Sequence, residues 1–501
     1  MLYCTGMIPA LESAYETVIG LEVHSQVRTR SKMFCRCSTE YSGDEPNTHV
    51  CQVCMGMPGV LPVINAAAVE ATIRTGLALN CTIPERAKFD RKNYPYPDLM
   101  KGYQISEYDM PLCVNGYLDV EVEGETRRIR INRVHLEEDT ARLLHRNEGG
   151  ESFSLLDLNR AGMPLMEIVT EPDARSPAEA LAYLMKLRQI LRYIGVSDAD
   201  MEKGSFRCEP NLSLRPRGSE KYGSKVELKN LNSFRAALRG MEYEVERQTR
   251  ILLEGGKVES ETRGWREETQ ETASQRSKEQ AHDYRYFPEP DLPPIAVTRE
   301  YVEQLRASLP ELPDARRARF AMQYGLTEYE ANLLTESRGR ADYYEAALAL
   351  IEGAGAPANA KLVANWQLTD LSRQLNDAGI DIDDPEMKLS TVSFAKLLNL
   401  LQKKTITNAA AKEVLRAAFE TGAGPESIVA ERGLGAIQDD GVVLEAVKKA
   451  ISGNPAAVAD YKSGKESALG ALMGPVMRET RGRANPQEVQ ALLRAELDRT
   501  D

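Results

Sequence analysis

The sequence predicts an α+β protein, with strands concentrated in residues 1–305 and helices alone beyond them. Three observations lead there. Several stretches before residue 305 alternate apolar and polar residues with the period of two expected of a strand that buries one face. Beyond it the glycines thin out, and Ala and Leu recur at helical spacing between capping residues. The chain has 501 residues, 42% hydrophobic and 28% charged, enough for several cores, and no apolar run approaches the roughly 18 residues of a membrane span.

Residues 16–28, ETVIGLEVHSQVR, read as the first strand, and their period puts Glu22, His24 and Gln26 on one face. A carboxylate and an imidazole so placed can share a cation; an ion pair on an exposed strand has the same pattern. Next comes FCRCSTEYSGDEPNTHVCQVC, a C-x-C and a C-x-x-C separated by thirteen residues. Its Cys35, Cys37, Cys51 and Cys54 suit a tetrahedral, structural Zn²⁺, with His49 able to replace one ligand. In a reducing compartment such a cluster reads as metal ligands before disulfides. Residues 66–80 follow a Pro-Gly turn as an amphipathic helix. The run FDRKNYPYPDLMKGYQISEYD then carries Arg91, Lys92, Asn93 and Lys101 among prolines that stiffen it, as phosphate binding favours.

A hairpin over 117–136, turning at Glu-Gly-Glu, leads into residues 129–173. There His135, Glu137, Glu138, Asp139, Asp157, Arg160, Glu167 and Glu171 crowd onto short β-like runs. Carboxylates on adjacent strands beside cations are what a Mg²⁺–phosphate site requires, because Mg²⁺ takes a few protein oxygens and leaves positions for substrate phosphates. A hairpin with charged outer faces fits the same residues. Strand parity groups Glu137 with His135. The segment SPAEALAYLMKLRQILRYIGV reads as a helix with Ser176 as N-cap, Pro177 in its first turn and Gly195 at its stop. Two more strands follow, one presenting Arg207, Glu209, Asn211 and Ser213 on a single face, the other Lys225, Glu227 and Lys229. Residues 242–280 are charged and read as helix-prone, and the Pro-rich AHDYRYFPEPDLPPI marks the domain edge. In the last segment, helices are expected near 440–452, 465–480 and 486–499. Between 462 and 483 the five bases Lys462, Lys465, Arg478, Arg481 and Arg483 outnumber two acids, a candidate contact with a phosphate backbone that a solvated helix face would also explain.

The net charge of −12 argues against a protein that coats DNA. The N-terminal stretch has no Lys or Arg before Arg28, hence no basic leader, and a cytoplasmic location is expected. No Walker-type phosphate loop occurs, so phosphate binding requires another scaffold.

Taken together and in order, ETVIGLEVHSQV, FDRKNYPYPDLMKGYQIS, RVHLEEDT, LDLNRAGMPLMEIVTEPDARSP, GSFRCEPNLSLRP, VELKNLNSF and DYRYFPEPDLPP resemble the GatB family, the B subunits of tRNA-dependent amidotransferases. The stretch YKSGKESALGALMGPVMRETRGRANP is similar to that family's tail. The resemblance implies a cradle domain over 1–305 with an antiparallel sheet flanked by helices, as in glutamine synthetase. It implies a helical domain over 306–424 and a YqeY-like, tRNA-binding tail over 425–501. It further implies ATP- and Mg²⁺-dependent phosphorylation of the side-chain carboxylate of Glu-tRNA(Gln), Asp-tRNA(Asn) or both. Ammonia from a GatA-type amidase subunit would then form the amide, a GatC-type small subunit would complete a heterotrimer, and neither DNA nor a membrane takes part. For the residues it implies Mg²⁺ at His24, Glu138 and Glu167 with Glu22 beside them, so the motif points to Glu138 where parity points to Glu137. Glu138, Glu167 and Arg160 are the expected catalytic residues. Charge and placement add Arg91, Lys92, Asn93 and Arg207 for the nucleotide, and Lys462, Lys465, Arg478, Arg481 and Arg483 for tRNA.

Overall fold

In the computed structural model the described residues are 14–277, 283–353, 357–437 and 439–499. The stretch before residue 14 and positions 278–282 of the helix-prone run and domain edge lie outside them. The alternating stretches become β1 (Tyr15–Gln26), β2 (Arg86–Ala87), β3 (Asp90–Asn93), β4 (Tyr103–Ser106), β5 (Cys113–Val122) and β6 (Glu125–Glu138). Then come β7 (Arg142–Glu148), β8 (Glu151–Asp157), β9 (Pro164–Thr170), β10 (Phe206–Pro216) and β11 (Val226–Lys229), followed by β12 (Glu261–Arg266), β13 (Glu271–Ser277), β14 (Phe287–Pro288) and β15 (Ile295–Ala296). One 11-stranded sheet has the order β13-β12-β11-β10-β1-β9-β6-β4-β3-β14, with β5 on the remaining length of β6. Within it only β11 and β12 run parallel. Two further pairs, β2 with β15 and β7 with β8, stand outside it.

This sheet is apolar on one face only. Ile19, Leu21 and Val23 of β1, Val134 and Leu136 of β6, Met166 and Ile168 of β9, and Leu212 of β10 join one core with α1 (Ala66–Ala78), α2 (Pro177–Tyr193) and α3 (Phe234–Leu253). The alternate residues, Glu22, His24, Glu167, His135 and Arg207 among them, are left on the other face. Helix α2 begins as its sequence indicates: the Ser176 hydroxyl accepts the Glu179 N–H at 3.1 Å, Pro177 sits in the first turn, and the chain turns away at Gly195 with φ +73. In α1, Gly76 is required by close approach, since a Cβ there would lie 2.3 Å from the Cys113 sulfur.

Two expectations change. The run 242–280 is not one helical region: α3 ends at Leu253, and after Gly255 and Gly256 the chain returns as β12 and β13. Its charged residues Glu261 and Arg263 turn toward α3, Arg263 lying 3.6 Å from Glu244 and Glu261 3.6 Å from Arg247 beside the buried Trp265, and pairing to β11 outweighs local helix propensity. The first unit also extends past the Pro-rich edge, to Leu312, because α4 (Arg299–Ser308) buries Val302 and Leu305 in the sheet's core.

The second unit, from Pro313 on, is helical among its described residues. Phe320, Tyr344, Phe394, Leu398 and Val414 form one core, and Val447, Leu472, Val476 and Leu493 another. Ile428 of the helix Pro425–Arg432 belongs to the first, so the tail's own core begins at Val443 rather than at 425. Its helices are Asp440–Gly453, Pro455–Lys462, Ala468–Glu479 and Pro486–Arg499. No helix is long and apolar enough to cross a membrane among the described residues.

The Glu345 carboxylate ties two helices of this unit together, accepting from Arg316 at 2.5 Å, Arg319 at 2.7 Å and the Tyr324 hydroxyl at 2.8 Å. Burial alone would raise its pKa, yet the hydrogen bonds from Arg319, Tyr324 and Arg316 bring it from 4.5 down to about 2. A depressed carboxylate contributes stability above its unfolded pKa, and that contribution is lost as pH falls through the folded value. Thermal unfolding of the full chain should therefore show the helical unit's transition dropping between pH 4.5 and 2. The drop should be smaller in Glu345→Gln.

Candidate active site

Glu167 of β9 is opposite His24 of β1 on one side and His135 of β6 on the other. Cross-strand partners share a face, so three strands deliver their side chains to one point. Glu167 Oε2 lies 3.5 Å from His24 Nε2 and 3.3 Å from His135 Nε2. Glu137 bridges the same imidazoles, at 3.7 Å and 3.8 Å, and accepts from the Ser106 hydroxyl at 3.2 Å. Glu22 joins from β1, 3.9 Å from His24. One ligand atom each from Glu22, His24 and Glu167 falls within 4.8 Å of the others, and so it does for His135, Glu137 and Glu167. Three convergent carboxylates with adjacent imidazoles fit a divalent ion that shares its remaining positions with phosphate oxygens.

Within the cluster the carboxylates and imidazoles favour one another's charged forms. Burial opposes charge on His24, but a hydrogen bond with Glu167 and the fields of Glu167, Glu137 and Glu22 raise its pKa to about 9. At His135 burial is likewise outweighed by Glu167 and Glu137, again to about 9. Glu22 is pushed up to about 6 by burial and by Glu167. Burial acts to raise Glu167, and His135 and His24 together hold it well below the usual range. Lys92 overlooks the cluster from β3; the fields of Glu137, Tyr286 and Glu167 raise its pKa against the effect of burial. Tyr284 and Tyr94 enclose its ammonium at 5.2 and 5.9 Å from their ring centres.

Glu138, the residue indicated by the motif, is not in this cluster. One step along β6 reverses the face, and Glu138 pairs with Lys101 and accepts the Ile105 N–H at 3.0 Å on the far side. There it lines a cavity of about 240 Å³ with Arg91, Tyr103, Cys54 and Asp291. Arg91 also faces this way, clasped by Glu289 at 2.7 and 2.9 Å with Asp291 at 3.3 Å. Asn93 donates to the Arg285 carbonyl at 2.8 Å and serves the backbone. Neither residue reaches the carboxylate cluster.

Arg207 and Arg160 meet at Asp139, on the cluster's own face of the sheet. Arg207 donates to Asp139 at 3.0 Å, Gln26 donates to it at 2.9 Å, and Arg160 lies 3.7 Å away while binding the Thr140 and Ala141 carbonyls at 3.0 and 2.9 Å. Separately, Cys35, Cys37, Cys51 and Cys54 place their sulfurs within 4.8 Å of one another. Tetrahedral zinc with ~2.3 Å bonds needs sulfurs ~3.8 Å apart; those of Cys51 and Cys54 are 3.9 Å apart. A hydrogen bond from Cys35 draws the Cys54 thiol down to about 5. In the tail, Lys462, Lys465, Arg478 and Arg481 are exposed, Lys465 pairing with Asp460 at 2.8 Å. Arg483 is half-buried and donates to the Gly433 carbonyl at 3.2 Å, which makes it a joint of the helical unit.

Residues 17–303 match the family model of the GatB/GatE catalytic domain, and residues 349–497 that of the GatB domain. The chain belongs to the GatB family. It is 53% identical to the B subunit of the aspartyl/glutamyl-tRNA(Asn/Gln) amidotransferase of Dehalococcoides mccartyi, over 97% of this chain and 99% of that one. To the corresponding B subunit of Carboxydothermus hydrogenoformans it is 54% identical over 96% and 99%, and to that of Thermomicrobium roseum 53% over 96% and 98%.

Within this GatB catalytic domain the structure brings Glu22, His24 and Glu167 together, and of the two acids that sequence reasoning left open, Glu137 by parity and Glu138 by motif, it brings Glu137 to them. The signal was present: the parity that joins His135 to Glu137 is that of β6 itself, and the same rule separates Lys92 from Arg91 on β3. Ser106 carried no signal, because its role arises only from β4 pairing with β6. Glu137→Gln should weaken binding of Mn²⁺, a probe for the divalent ion, by at least ~10-fold in titration calorimetry, and Glu138→Gln should leave it within about twofold.

Proposed function

We propose that the chain is the subunit of a tRNA-dependent amidotransferase that activates the side-chain carboxylate of Glu-tRNA(Gln), Asp-tRNA(Asn) or both, using ATP, and converts it to the amide. The observation that carries this reading is the convergence of Glu22, Glu137 and Glu167 with two imidazoles on the sheet face opposite the apolar core, in a chain whose relatives are named as amidotransferase B subunits. A carboxylate does not react usefully with ammonia until one of its oxygens is a leaving group. Attack of the substrate carboxylate on the γ-phosphorus of ATP gives an acyl phosphate and ADP. Ammonia then adds to the acyl carbon, phosphate leaves, and the nitrogen sheds a proton. Mg²⁺, when bound, neutralises phosphate oxygens during the transfer.

The chain's own residues supply the rest. Glu137, Glu167, Glu22 and His24 hold the ion, with Glu137 in the place first expected of Glu138. His135 donates to Glu167 and keeps its orientation. Lys92 faces the transferred phosphoryl group from β3, and Arg207 and Arg160 approach the neighbouring phosphates from Asp139. Arg91, clasped by Glu289, and Asn93, bound to the Arg285 carbonyl, have no phosphate role in this reading because they lie at the opposite parity of β3 from Lys92. The four thiolates hold a structural Zn²⁺. The exposed bases of the tail, Lys462, Lys465, Arg478 and Arg481, contact tRNA through its shape and phosphates, while Arg483 is structural. Ammonia comes from a GatA-type glutaminase, with a GatC-type subunit completing a cytoplasmic heterotrimer.

The test is amide formation by the reconstituted three-subunit complex, supplied with each misacylated tRNA in turn, with and without ATP. Wild type should form amide only with ATP, and Glu167→Gln should form neither ADP nor amide while binding the tRNA as tightly as wild type. Normal amide formation by Glu167→Gln would refute the reading. In the tail, Arg478→Ala and Arg481→Ala should each weaken tRNA binding and lower the slope of log affinity against log salt by about one.

A further inference from the structure

Lys32 is 0% exposed, and its ammonium donates to the carbonyl oxygens of His49 at 2.8 Å and Leu158 at 3.2 Å. No carboxylate pairs with it among the described residues. A buried ammonium is tolerated only beside a compensating negative charge; without one the group gives up its proton or the fold gives way. Two carbonyl dipoles satisfy its hydrogen bonds and leave its charge uncancelled.

The cancelling charge lies in the cysteine cluster next to it. A Cβ built on Gly162 would lie 3.7 Å from Cys54 Cβ, 3.8 Å from Lys32 Cδ and 3.9 Å from Glu138 Oε2, so the lysine stem and Cys54 flank one glycine, while the Glu138 carboxylate is paired with Lys101. The Lys32 N–H also donates to the Cys37 carbonyl at 2.9 Å, and His49, whose carbonyl takes the ammonium, precedes Cys51 by two residues. Four thiolates around one divalent ion carry two net negative charges, more than enough to offset one ammonium. Each feature therefore accounts for the other.

The second acceptor leads to the active site. Leu158 opens the turn between β8 and β9, whose Gly162 donates to the Asp139 carbonyl at 2.9 Å and accepts from Met33 at 2.7 Å. The loop between the two cysteine pairs is sewn to the same turn: the Asn159 amide donates to the Glu45 carbonyl at 2.9 Å, and its oxygen accepts the His49 N–H at 2.9 Å. Arg160 is in this turn, and Asp139 is its neighbour.

We infer that Lys32 is the counter-ion of the metal-loaded four-cysteine cluster and, through the Leu158 carbonyl, the positioning residue that fixes the turn carrying Arg160. This rests on the reading that the cluster holds zinc. Three variants of the full chain in its assembled complex separate the contributions: Lys32→Arg keeps the charge, Lys32→Gln keeps amide donors without it, and Lys32→Met keeps neither. Zinc retention is measured by competition with a chromogenic chelator, and amide hydrogen exchange is followed at Gly162 and Met163.

Wild type and Lys32→Arg should hold about one zinc per chain. Lys32→Gln and Lys32→Met should release it at ~10–100-fold lower chelator concentration, as loss of an outer-shell partner does. Exchange at Gly162 and Met163 should quicken most in Lys32→Met. Wild type without zinc would refute the zinc reading itself. Zinc held equally tightly by wild type and Lys32→Gln would overturn the charge pairing, and unchanged exchange in a zinc-depleted Lys32→Met would overturn the link to the turn. Lys32→Gln and Lys32→Arg decide the first point even where Lys32→Met fails to fold.

Discussion

Everything in the catalytic domain depends on the register in which β9 lies between β1 and β6. With Glu167 level with His24 on one neighbour and His135 on the other, three strands far apart in the chain bring their acids and imidazoles to one spot. A slip of one residue would turn Glu167 into the apolar layer and expose Met166 and Ile168 in its place. The helices on the opposite face prevent that slip, since Met166 and Ile168 are fully buried against the common core. The hydrophobic effect thus sets the position of a polar site it never touches.

The consecutive acids Glu137 and Glu138 illustrate the consequence. Both are nearly inaccessible to solvent, yet one meets two imidazoles and a serine while the other meets a lysine and a backbone amide. Their environments differ because a strand reverses its face at every residue. The carboxylates of Glu167 and Glu137 raise the pKa of both histidines against the effect of burial.

The sheet's polar face and the cysteine cluster are joined by one turn. Residues 158–163 touch the loop between the cysteine pairs on one side and Asp139 on the other, with Gly162 at φ +78 in the narrowest place. The cysteine cluster is in this way tied to more than its own loop: the same turn carries Arg160, which lies 3.7 Å from Asp139.

Much was legible in the residues alone. Alternation located β1, β6, β9 and β10; Ser176, Pro177 and Gly195 bounded α2; and the spacing of Cys35, Cys37, Cys51 and Cys54 indicated a four-thiolate cluster, because each pattern reflects forces acting within a few residues. The strands β12 and β13 were not legible, since charged, helix-prone residues form them only where β11 offers an edge. Nor were the clasping of Arg91 by Glu289 or the joint made by Arg483; parity pointed to Glu137 and the motif to Glu138, and only the pairing of β6 with β9 decided which acid meets Glu167. Each depends on which strand or helix comes to lie alongside, and that is decided by burial of the whole apolar face rather than by any local sequence. Composition and periodicity determined which residues could share a face; packing decided which of them meet.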